Sequence, residues 1–579
     1  MKELLLGNEA IARGVLEAGV DVVTAYPGTP SSEIPMTISK IARKYGIYFQ
    51  WSTNEKVAYE VAFAGALSGL RSMVTMKHVG LNVAADAFMA SATVGVDTGL
   101  VLVSADDPSM HSSQNEQDSR YYARLANIPC IEPCSPQEAK DFTVQAYDLS
   151  EKFRLPVMLR TTTRVNHTRG DVELGEIPQR ERSPSFTRNV KRYVTIPSNA
   201  RVLRKELLEK MDTVRIDLDT VEGKGCLGII ASGIAYNYVK ESVSLLDMEA
   251  EIYKLVVTHP LSPRILDFLT AHDEVIVVEE LEPIVEIEIR AMAQKEGIPV
   301  TIIGKDIVPR AYELNTTRVL TAFSRFKGLT QVPVREFSIP VRPPVLCPGC
   351  PHRATFYAMR KAAPKGIYPS DIGCYTLGVV PPINAVDTCF CMGASIGISC
   401  GLSEFVEEKV VCSIGDSTFM HTGLPALVNA VYNQHKFVIV LLDNQTTAMT
   451  GHQPHPGTGI TGMGDVVPKV YPEKIAEAMG IHTDVVDPLD VETTITVLKE
   501  AVEADELRMV IARRACIFVE GSAQGEPYSV TEDCTGCQLC VNRLGCPAIE
   551  IRDGKAFITE LCTGCGVCAQ VCPAQAIKR

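Results

Sequence analysis

The sequence predicts an α/β protein: three doubly wound domains followed by a small, cysteine-rich α+β module. Two patterns lead to this prediction. Apolar strand-like runs alternate with helical patterns over residues 1–180, 225–325 and 347–523, which is typical of parallel sheets with helices on both faces. Eight of the 19 cysteines then fall between Cys534 and Cys572. A chain of 579 residues has room for about four domains of ordinary size.

The first domain, residues 1–180, shows the alternation most clearly. Helical spacing runs over Glu55–Leu70. Buried strands are predicted at Val20–Tyr26, Ser72–Met76, Leu100–Ser104 and Pro156–Leu159. Residues 181–224 then crowd arginine and lysine side chains into a stretch with little strand pattern. We interpret this stretch as a solvated basic linker with one helix.

A second, smaller α/β domain is predicted over residues 225–325. Its strands are predicted over 226–233, 254–260, 274–280 and 299–306. Proline then marks residues 326–346 as a linker, because it disfavours helices and central strands. The prolines are Pro333, Pro340, Pro343 and Pro344. A third α/β domain follows over residues 347–523, and residues 524–579 form the cysteine-rich module.

Composition and charge exclude several classes of protein. The formal net charge is −13, from 56 basic and 69 acidic residues, which argues against nucleic acid as a partner. No apolar run reaches the roughly 18–20 residues needed to cross a bilayer. The first residues do not follow the pattern of a secretory signal. We therefore expect a cytoplasmic protein without membrane contact, whose cysteines bind metal rather than form disulfides.

The cysteine-rich module carries two runs with iron–sulfur spacing. Cys562-x2-Cys565-x2-Cys568-x3-Cys572-Pro573 matches the bacterial spacing for a [4Fe–4S] cluster. In the other run, Cys534-x2-Cys537-x2-Cys540-x5-Cys546-Pro547, the last gap is two residues longer than usual. Structural zinc is the alternative, but zinc sites usually pair two CxxC units at wider spacing.

The same runs resemble those of two-cluster ferredoxins, in which the fourth cysteine of each run serves the other cluster. This resemblance implies two ligand sets. One cluster takes Cys534, Cys537, Cys540 and Cys572. The other takes Cys562, Cys565, Cys568 and Cys546.

A strand-end motif in the third domain resembles the thiamine diphosphate motif, in which Gly-Asp-Gly/Ser is followed by an Asn about 25 residues later. Here Gly415-Asp416-Ser417 follows a predicted strand, residues 418–442 intervene, and a second strand leads into Asn444. Asp416 and Asn444 supply the hard oxygen ligands that Mg²⁺ prefers, and the main-chain carbonyl of Thr446 fits the same pattern. Gly415 lets a diphosphate approach the backbone, and the N-terminus of the following helix favours its negative charge.

Enzymes with this motif also need a glutamate from a second α/β domain, which protonates the aminopyrimidine ring of the cofactor. Glu55 opens a helix of small residues in the first domain and matches the position of that glutamate. Glu60 is the nearby competitor. The structural alternative is that Glu55 only stabilises the helix macrodipole.

A third segment, Tyr26-Pro27-Gly28-Thr29-Pro30-Ser31-Ser32-Glu33, closely resembles the YPITPSSE segment of the 2-oxoacid:ferredoxin oxidoreductases. Over essentially its whole length, the chain resembles the alpha subunits of this family, in particular those that act on indolepyruvate. The segments Met76–Asn82, Asp106–Ser113 and Thr446–Gly459 strengthen the resemblance.

The resemblance implies an architecture and an activity. Residues 1–180 would be the pyrimidine-binding domain, 225–325 a transketolase C-terminal-like domain, 347–523 the diphosphate- and Mg²⁺-binding domain, and 524–579 a two-cluster ferredoxin domain. The implied reaction is the oxidative decarboxylation of indolepyruvate, phenylpyruvate or hydroxyphenylpyruvate to an aryl-acetyl-coenzyme A and CO₂, with electrons passing to ferredoxin. Family members pair this large subunit with a smaller beta subunit, and the expected assembly is α2β2.

The resemblance also implies positions near the substrate. Thr29 is expected near the 2-oxoacid; the alternative is that its hydroxyl caps the following helix. Related pyruvate enzymes grip the substrate carboxylate with an arginine, but this chain has Asp106 and Asp107 in that region. Candidate replacements, each of which also has an ordinary structural interpretation, are His78, His111, Arg120 and His452.

Many related oxidoreductases hold a further [4Fe–4S] cluster in the diphosphate-binding domain. The ligands are a CPGC pair, a later Gly-Cys and a cysteine near the end of the domain. The matching cysteines here are Cys347, Cys350, Cys374 and Cys516. The alternative is that they are reduced, partly buried thiols, which are common in protein cores.

Two other functions agree with parts of the sequence. A non-oxidative thiamine-dependent decarboxylase with a vestigial ferredoxin domain would have no need to keep all eight module cysteines, which are complete here. A subunit that only transfers electrons would not need Glu55, Asp416 and Asn444 together.

Overall fold

The computed structural model describes residues 1–179, 183–329, 339–340, 342–519 and 525–579. The chain forms two compact units, Met1–Ser338 and Ile339–Arg579. Three predicted features fall outside the described residues: the boundary at 180–181, residues 330–338 of the proline-rich linker and the boundary at 523–524.

The first unit alternates strands and helices, and the predicted α/β fold class is confirmed. Its strands are β1 (Lys2–Leu6), β2 (Val22–Ala25), β3 (Tyr48–Trp51), β4 (Ser72–Lys77), β5 (Leu100–Asp106), β6 (Cys130–Ile131), β7 (Val157–Thr162), β8 (Arg169–Glu173), β9 (Thr220–Gly223), β10 (Leu227–Ser232), β11 (Ala250–Leu255), β12 (Val257–His259), β13 (Glu274–Val278) and β14 (Thr301–Ile303). Its helices are α1 (Gly7–Glu17), α2 (Glu33–Tyr45), α3 (Glu55–Leu67), α4 (His78–Val94), α5 (Arg120–Ala126), α6 (Pro136–Phe153), α7 (Thr163–His167), α8 (Val190–Tyr193), α9 (Pro197–Thr213), α10 (Ala235–Leu245), α11 (Arg264–Thr270), α12 (Ile284–Glu296) and α13 (Thr316–Phe326).

The main sheet of this unit contains, among the described residues, seven strands in the order β12-β6-β7-β5-β4-β2-β3. The neighbours from β6 to β3 are parallel, so their carboxyl ends share one edge. Every residue of β4, β5 and β7 is buried, which explains why their apolar residues do not alternate with exposed polar ones. Helices α3 and α4 close one face through side chains such as Ala58, Ala62 and Phe88.

One strand prediction in residues 225–325 is corrected by the structure. The single strand predicted over 254–260 is divided: β11 ends at Leu255, and β12 pairs antiparallel with β6 of the main sheet. The Asp219 carboxylate fixes this division, because it accepts hydrogen bonds from the N–H groups of Val256 (2.8 Å) and Val257 (3.1 Å). The other strands form a second sheet in the order β14-β13-β10-β11-β9, parallel except for β9.

Residues 183–224, the described part of the predicted basic linker 181–224, pack more closely than the solvated linker that the charge pattern predicts. It contains α8 as well as the longer α9. Helix α9 buries Leu203, Leu207 and Met211. The Arg192 guanidinium donates to the Val94 carbonyl oxygen at 2.9 Å, so part of the basic charge is used in packing.

The second unit holds a parallel sheet in the order β15-β16-β18-β17 and a smaller module with two antiparallel pairs. Its strands are β15 (Val411–Gly415), β16 (Val438–Asp443), β17 (His482–Val486), β18 (Arg508–Arg513), β19 (Ser529–Val530), β20 (Ile549–Arg552), β21 (Lys555–Ile558) and β22 (Ile577–Lys578). Its helices are α14 (Pro351–Ala362), α15 (Ala394–Phe405), α16 (Asp416–Thr418), α17 (Leu424–Tyr432), α18 (Pro472–Ala478), α19 (Val491–Glu503), α20 (Leu539–Asn542) and α21 (Val567–Val571). A π-helical turn, Phe419–Gly423, joins α16 to α17, so the helix that follows β15 runs without a break from Asp416 to Tyr432. Across the described ranges, no helix combines the length and the apolar character needed to span a membrane.

Candidate functional site

Glu55 is the first residue of α3, at the carboxyl edge of the main sheet. The Asn54 side chain accepts a hydrogen bond from the Val57 N–H at 3.0 Å, which starts the helix at this point. Glu55 is 4% exposed, and its carboxylate lies against Gly80, where an added Cβ would come within 2.6 Å of Oε1. The competitor, Glu60, is exposed and pairs with Lys56. The structure therefore gives the two candidates opposite environments, and Glu55 is the buried one.

Thr29 and His78 lie at the same edge of the first unit. Thr29 is half-buried in the loop after β2. The residue that precedes α2 is Ser32, so the Thr29 hydroxyl does not cap that helix. His78 is buried, and its Nε2 lies 3.1 Å from the Asn115 carbonyl oxygen. Burial lowers the pKa of His78, which favours the neutral ring.

Two other candidates in the first unit, Arg120 and His111, already contact carboxylates of the protein. Arg120 is 1% exposed, and its guanidinium forms ion pairs of 2.6 Å with both Asp118 and Glu279. These buried partners leave Arg120 as a structural cation rather than a ligand for a substrate carboxylate. His111 is exposed, and its Nε2 lies 3.2 Å from Glu313.

The second unit brings Asp416 and Asn444 together at the carboxyl edge of its sheet. They follow β15 and β16, which are parallel neighbours. The two residues are 4% and 7% exposed, respectively. The Gln445 N–H donates to Asp416 Oδ2 at 2.7 Å and ties the two strand ends together. With the buried Thr446 beside them, the edge offers a carboxylate, an amide oxygen and a main-chain carbonyl, a set of donors that fits Mg²⁺.

The backbone around Asp416 also fits a diphosphate. The Ser417 hydroxyl lies beside Asp416 and accepts a hydrogen bond from the Thr447 hydroxyl at 3.0 Å, while the Ser417 N–H donates to Asp416 Oδ1 at 2.7 Å. Gly415 lies against the Tyr375 ring, where an added Cβ would be 2.6 Å from Cε1, so only glycine fits here. A helix begins at Asp416, and its first N–H groups favour an anion.

Two histidines beside these residues were not singled out from the sequence. His455 Nε2 lies 3.2 Å from Asp416 Oδ2. Burial lowers the pKa of His455, but the neighbouring carboxylates outweigh burial and the net pKa is raised. His352 lies 3.4 Å from the Asn444 amide nitrogen, and burial lowers the pKa of His352 to about 4. His452, by contrast, is exposed and contacts the Phe518 ring.

The structure places cysteine thiols of the C-terminal module near one another, within each of the two sets that the resemblance to ferredoxins implies and also between them. Burial raises the pKa of Cys540, and the thiols of Cys534, Cys537 and Cys572 raise it further. Burial likewise raises the pKa of Cys568 to about 12, with added contributions from Cys565, Cys546 and Cys562. One cavity is lined by all four thiols of the second set: Cys546, Cys562, Cys565 and Cys568.

The thiols of the second set fit the ligand set of a [4Fe–4S] cluster, which takes four cysteine thiolates, one on each iron. The left-handed backbone of Gly564 (φ 71°) and Gly566 (φ 78°) allows the tight loop between Cys562 and Cys568.

The four cysteines of the third domain also lie near one another. Burial raises the pKa of Cys350 to about 12, and the thiols of Cys347 and Cys374 contribute. Burial raises the pKa of Cys374 to about 11, with contributions from Cys516 and Cys347. The Cys516 N–H donates to the Asn444 carbonyl oxygen at 3.0 Å. The set therefore adjoins the Asp416–Asn444 edge.

Comparison with known families agrees with this chemistry. Residues 13–214 match the pyruvate flavodoxin/ferredoxin oxidoreductase thiamine diphosphate-binding family, and residues 371–512 match the C-terminal domain of thiamine pyrophosphate enzymes. Residues 556–578 match the 4Fe-4S binding domain. These matches define the class: the chain is a subunit of a 2-oxoacid:ferredoxin oxidoreductase that uses thiamine diphosphate and iron–sulfur clusters.

Relatives similar over the full length narrow the class further. The indolepyruvate oxidoreductase subunit IorA of Thermococcus kodakarensis is 49% identical, covering 99% of this chain and 96% of that protein. The IorA subunit of Methanothermobacter marburgensis is 47% identical, covering 99% and 97%. The chain belongs to the IorA family of indolepyruvate oxidoreductase subunits. A 2-oxoglutarate:ferredoxin oxidoreductase structure from Magnetococcus marinus, with 2-oxoglutarate, coenzyme A and succinyl-CoA bound, is 16% identical at a TM-score of 0.45, covering 56% of this chain and 65% of that one.

Proposed function

We propose that this chain is the catalytic large subunit of a cytoplasmic enzyme that oxidises arylpyruvates. The substrates would be indolepyruvate, phenylpyruvate and hydroxyphenylpyruvate. Each arylpyruvate and coenzyme A would give an aryl-acetyl-coenzyme A, CO₂, one proton and two electrons, the electrons reducing two ferredoxins. The observation that carries the proposal is the 47–49% identity to proteins named indolepyruvate oxidoreductase subunit IorA over nearly the whole chain.

The proposal assigns roles to residues at the two sheet edges. Thiamine diphosphate, when bound, supplies the carbon nucleophile that attacks the 2-oxo group and accepts the electrons left when CO₂ departs. Glu55 would hold a proton at the aminopyrimidine ring. Its burial supports this role, because water has little access to the carboxyl group and competes less as a proton donor or acceptor. Asp416, Asn444 and the Thr446 carbonyl would bind Mg²⁺, with Ser417 beside them. Thr29, His78 and His452 remain candidates for substrate contact.

The second unit also supports a proposed route for the electrons. Cys347, Cys350, Cys374 and Cys516 would hold a third [4Fe–4S] cluster beside Asn444. Its neighbour would be the cluster of Cys546, Cys562, Cys565 and Cys568, because Cys350 lines the same cavity as these four thiols. The set that contains Cys540 comes next, since the pKa of Cys568 is influenced by Cys540. Electrons would then leave the module for external ferredoxin.

The proposal includes partners that this chain does not contain. The relatives are named as subunits, which supports a smaller beta subunit as the partner. We propose an α2β2 complex that takes coenzyme A as the acyl acceptor.

A panel of 2-oxoacids tests the proposal directly. The reconstituted complex would be given arylpyruvates, pyruvate and 2-oxoglutarate, with ferredoxin reduction followed in the presence and absence of coenzyme A. We expect ferredoxin reduction that depends on coenzyme A and is at least tenfold faster with an arylpyruvate. Release of an arylacetaldehyde without ferredoxin reduction would instead identify a non-oxidative decarboxylase. Preference for pyruvate or 2-oxoglutarate would refute the substrate class.

A further inference from the structure

A buried lysine in the first unit has no role in the mechanism above. Lys77 is the last residue of β4, at the same sheet edge as Glu55, and it is 9% exposed. Its aliphatic stem lies against Gly28, where an added Cβ would come within 3.0 Å of Lys77 Cγ and Cδ. Gly28 immediately precedes Thr29, which is the candidate residue near the 2-oxoacid.

The Lys77 ammonium has few partners for a buried charge. Its Nζ donates to the Ser112 carbonyl oxygen at 2.8 Å. An ammonium has three N–H donors, so two are left for a ligand. Within the described ranges, no carboxylate is close enough to form an ion pair with it. Burial lowers the pKa of Lys77 to about 8, and the more distant charges of Asp107 and Glu55 do not compensate.

Asp107, the acid with the larger influence on the pKa of Lys77, is already bound by other hydrogen-bond donors. Asp107 accepts hydrogen bonds from the Ser112 N–H at 2.8 Å and from the hydroxyls of Ser113 and Thr163, each at 2.7 Å. These donors hold the Asp107 carboxylate in place. Burying an ammonium without a paired anion is costly, so a site of this kind is built for an anion that arrives with a ligand.

The position of Lys77 indicates which anion this is. In open parallel sheets, ligands bind beyond the carboxyl ends of the strands. The diphosphate of the cofactor already has a proposed place beside Asp416, in the other unit. The geometry points to Lys77 as the residue that binds the carboxylate of the 2-oxoacid, in the role for which Arg120 is unavailable. This assignment rests on the proposed function, because it needs a 2-oxoacid substrate.

The test compares three variants of the reconstituted complex. Lys77→Met removes the charge and keeps the length, and Lys77→Arg keeps the charge. Lys305→Met is the matched control, because Lys305 is a half-buried lysine of the first unit whose pKa is also lowered by desolvation to about 8. The measurements are KM and kcat for the 2-oxoacid that the wild-type complex prefers, the affinity for thiamine diphosphate, and competitive inhibition by 3-phenylpropionate and its uncharged amide.

We expect Lys77→Met to raise KM by about 100-fold, the size of one buried charge-assisted hydrogen bond, with a smaller change in kcat. The preference for 3-phenylpropionate over the amide should vanish in Lys77→Met and survive in Lys77→Arg and Lys305→Met. Survival of that preference in Lys77→Met would overturn the assignment. So would a lost affinity for thiamine diphosphate with an unchanged KM, since Lys77 would then serve the diphosphate. If the wild-type complex prefers a non-aryl 2-oxoacid, the substrate proposal fails. The role of Lys77 is then decided by the KM for that acid, and by inhibition with a carboxylate that has the same carbon chain as that acid and with the corresponding amide.

Discussion

Replacing Arg353 with methionine is expected to loosen the ferredoxin module from the rest of the second unit. Arg353 lies in α14 and is 5% exposed. Its Nη1 donates to the carbonyl oxygens of Leu544 (2.7 Å) and Gly545 (2.6 Å), immediately before Cys546. Its Nη2 donates to the Leu346 carbonyl oxygen, immediately before Cys347. One guanidinium therefore holds two loops that each lead into a cysteine set.

The size of the effect follows from these three hydrogen bonds. A hydrogen bond from a charged donor is worth about 1.5–3 kcal/mol, and a buried carbonyl left without a donor costs a further share. Three such bonds amount to about 4.5–9 kcal/mol. Methionine fills similar volume and its apolar packing offsets part of this loss, so we expect a net loss of at least about 3 kcal/mol in the free energy of docking the module. Lysine keeps the charge but not the planar fork, so Arg353→Lys should recover less than half of the loss.

Release of iron to a chelator under anaerobic conditions measures this loss. We expect at least a 100-fold faster release in Arg353→Met, because each 1.4 kcal/mol changes a population about tenfold. The matched control is Arg360→Met, on the same helix, where the arginine is exposed and lies over the Tyr368 ring. Equal rates of release in Arg353→Met and Arg360→Met would show that the three hydrogen bonds do not hold the module.

Four further predictions follow from the described sites. Glu55→Gln should bind thiamine diphosphate but lose most turnover, since an amide cannot shuttle a proton; near-normal turnover, with Glu60→Gln inactive, would move the role to Glu60. Asp416→Ala should lose thiamine diphosphate and Mg²⁺ while the absorbance of the ferredoxin clusters persists, and an unchanged cofactor affinity would remove Asp416 as a ligand. Anaerobically purified chain should hold about 12 irons, four per cluster, falling to about eight in Cys347→Ser; about eight in both would leave two clusters only. Burial raises the pKa of Glu280 to about 7, so the folded state loses stability relative to the unfolded state as pH rises from about 4.5 to 7. Glu280→Gln removes this loss and should stabilise the first unit at pH 8 but hardly at pH 5. Thermal melts of both proteins at the two pH values measure the difference, and equal effects at both would contradict it.

The sequence predicts those parts of the site whose partners are close along the chain or follow a repeated pattern. Asp416 and Asn444 each come directly after a buried strand, and because β15 and β16 are parallel neighbours, their ends meet at one edge. The CxxCxxC spacing likewise predicts the two iron–sulfur runs of the module, whereas only the resemblance to ferredoxins implies how the two clusters share their ligands. Glu55 is predictable as a helix start, since Asn54 is a strong N-cap residue.

Other features depend on contacts that no local pattern reports. Residues 254–260 read as one apolar strand, and only the Asp219 carboxylate, far away in sequence, shows where the chain leaves one sheet for the other. In the sequence, Lys77 is an ordinary lysine at the end of a strand. Only the structure shows that its side chain lies against Gly28 and donates to the Ser112 carbonyl oxygen. Arg353 bonds to Leu544 across 191 residues, a separation that helical or strand periodicity does not encode.

The unusual gap in the first cysteine run finds its physical explanation in the same arginine. Cys540 and Cys546 are separated by two more residues than the usual spacing allows, which makes the reach of Cys546 the weakest part of the sequence prediction. In the structure, Cys546 still lies beside the thiols of Cys565 and Cys568, so the extra residues do not displace it. They form a bend, with Gly545 in the left-handed region (φ 59°), that turns the last two carbonyls before Cys546 toward Arg353. The loop that contains the two extra residues is therefore where Arg353 holds the module to the third domain, and the Cys546 set lines the same cavity as Cys350.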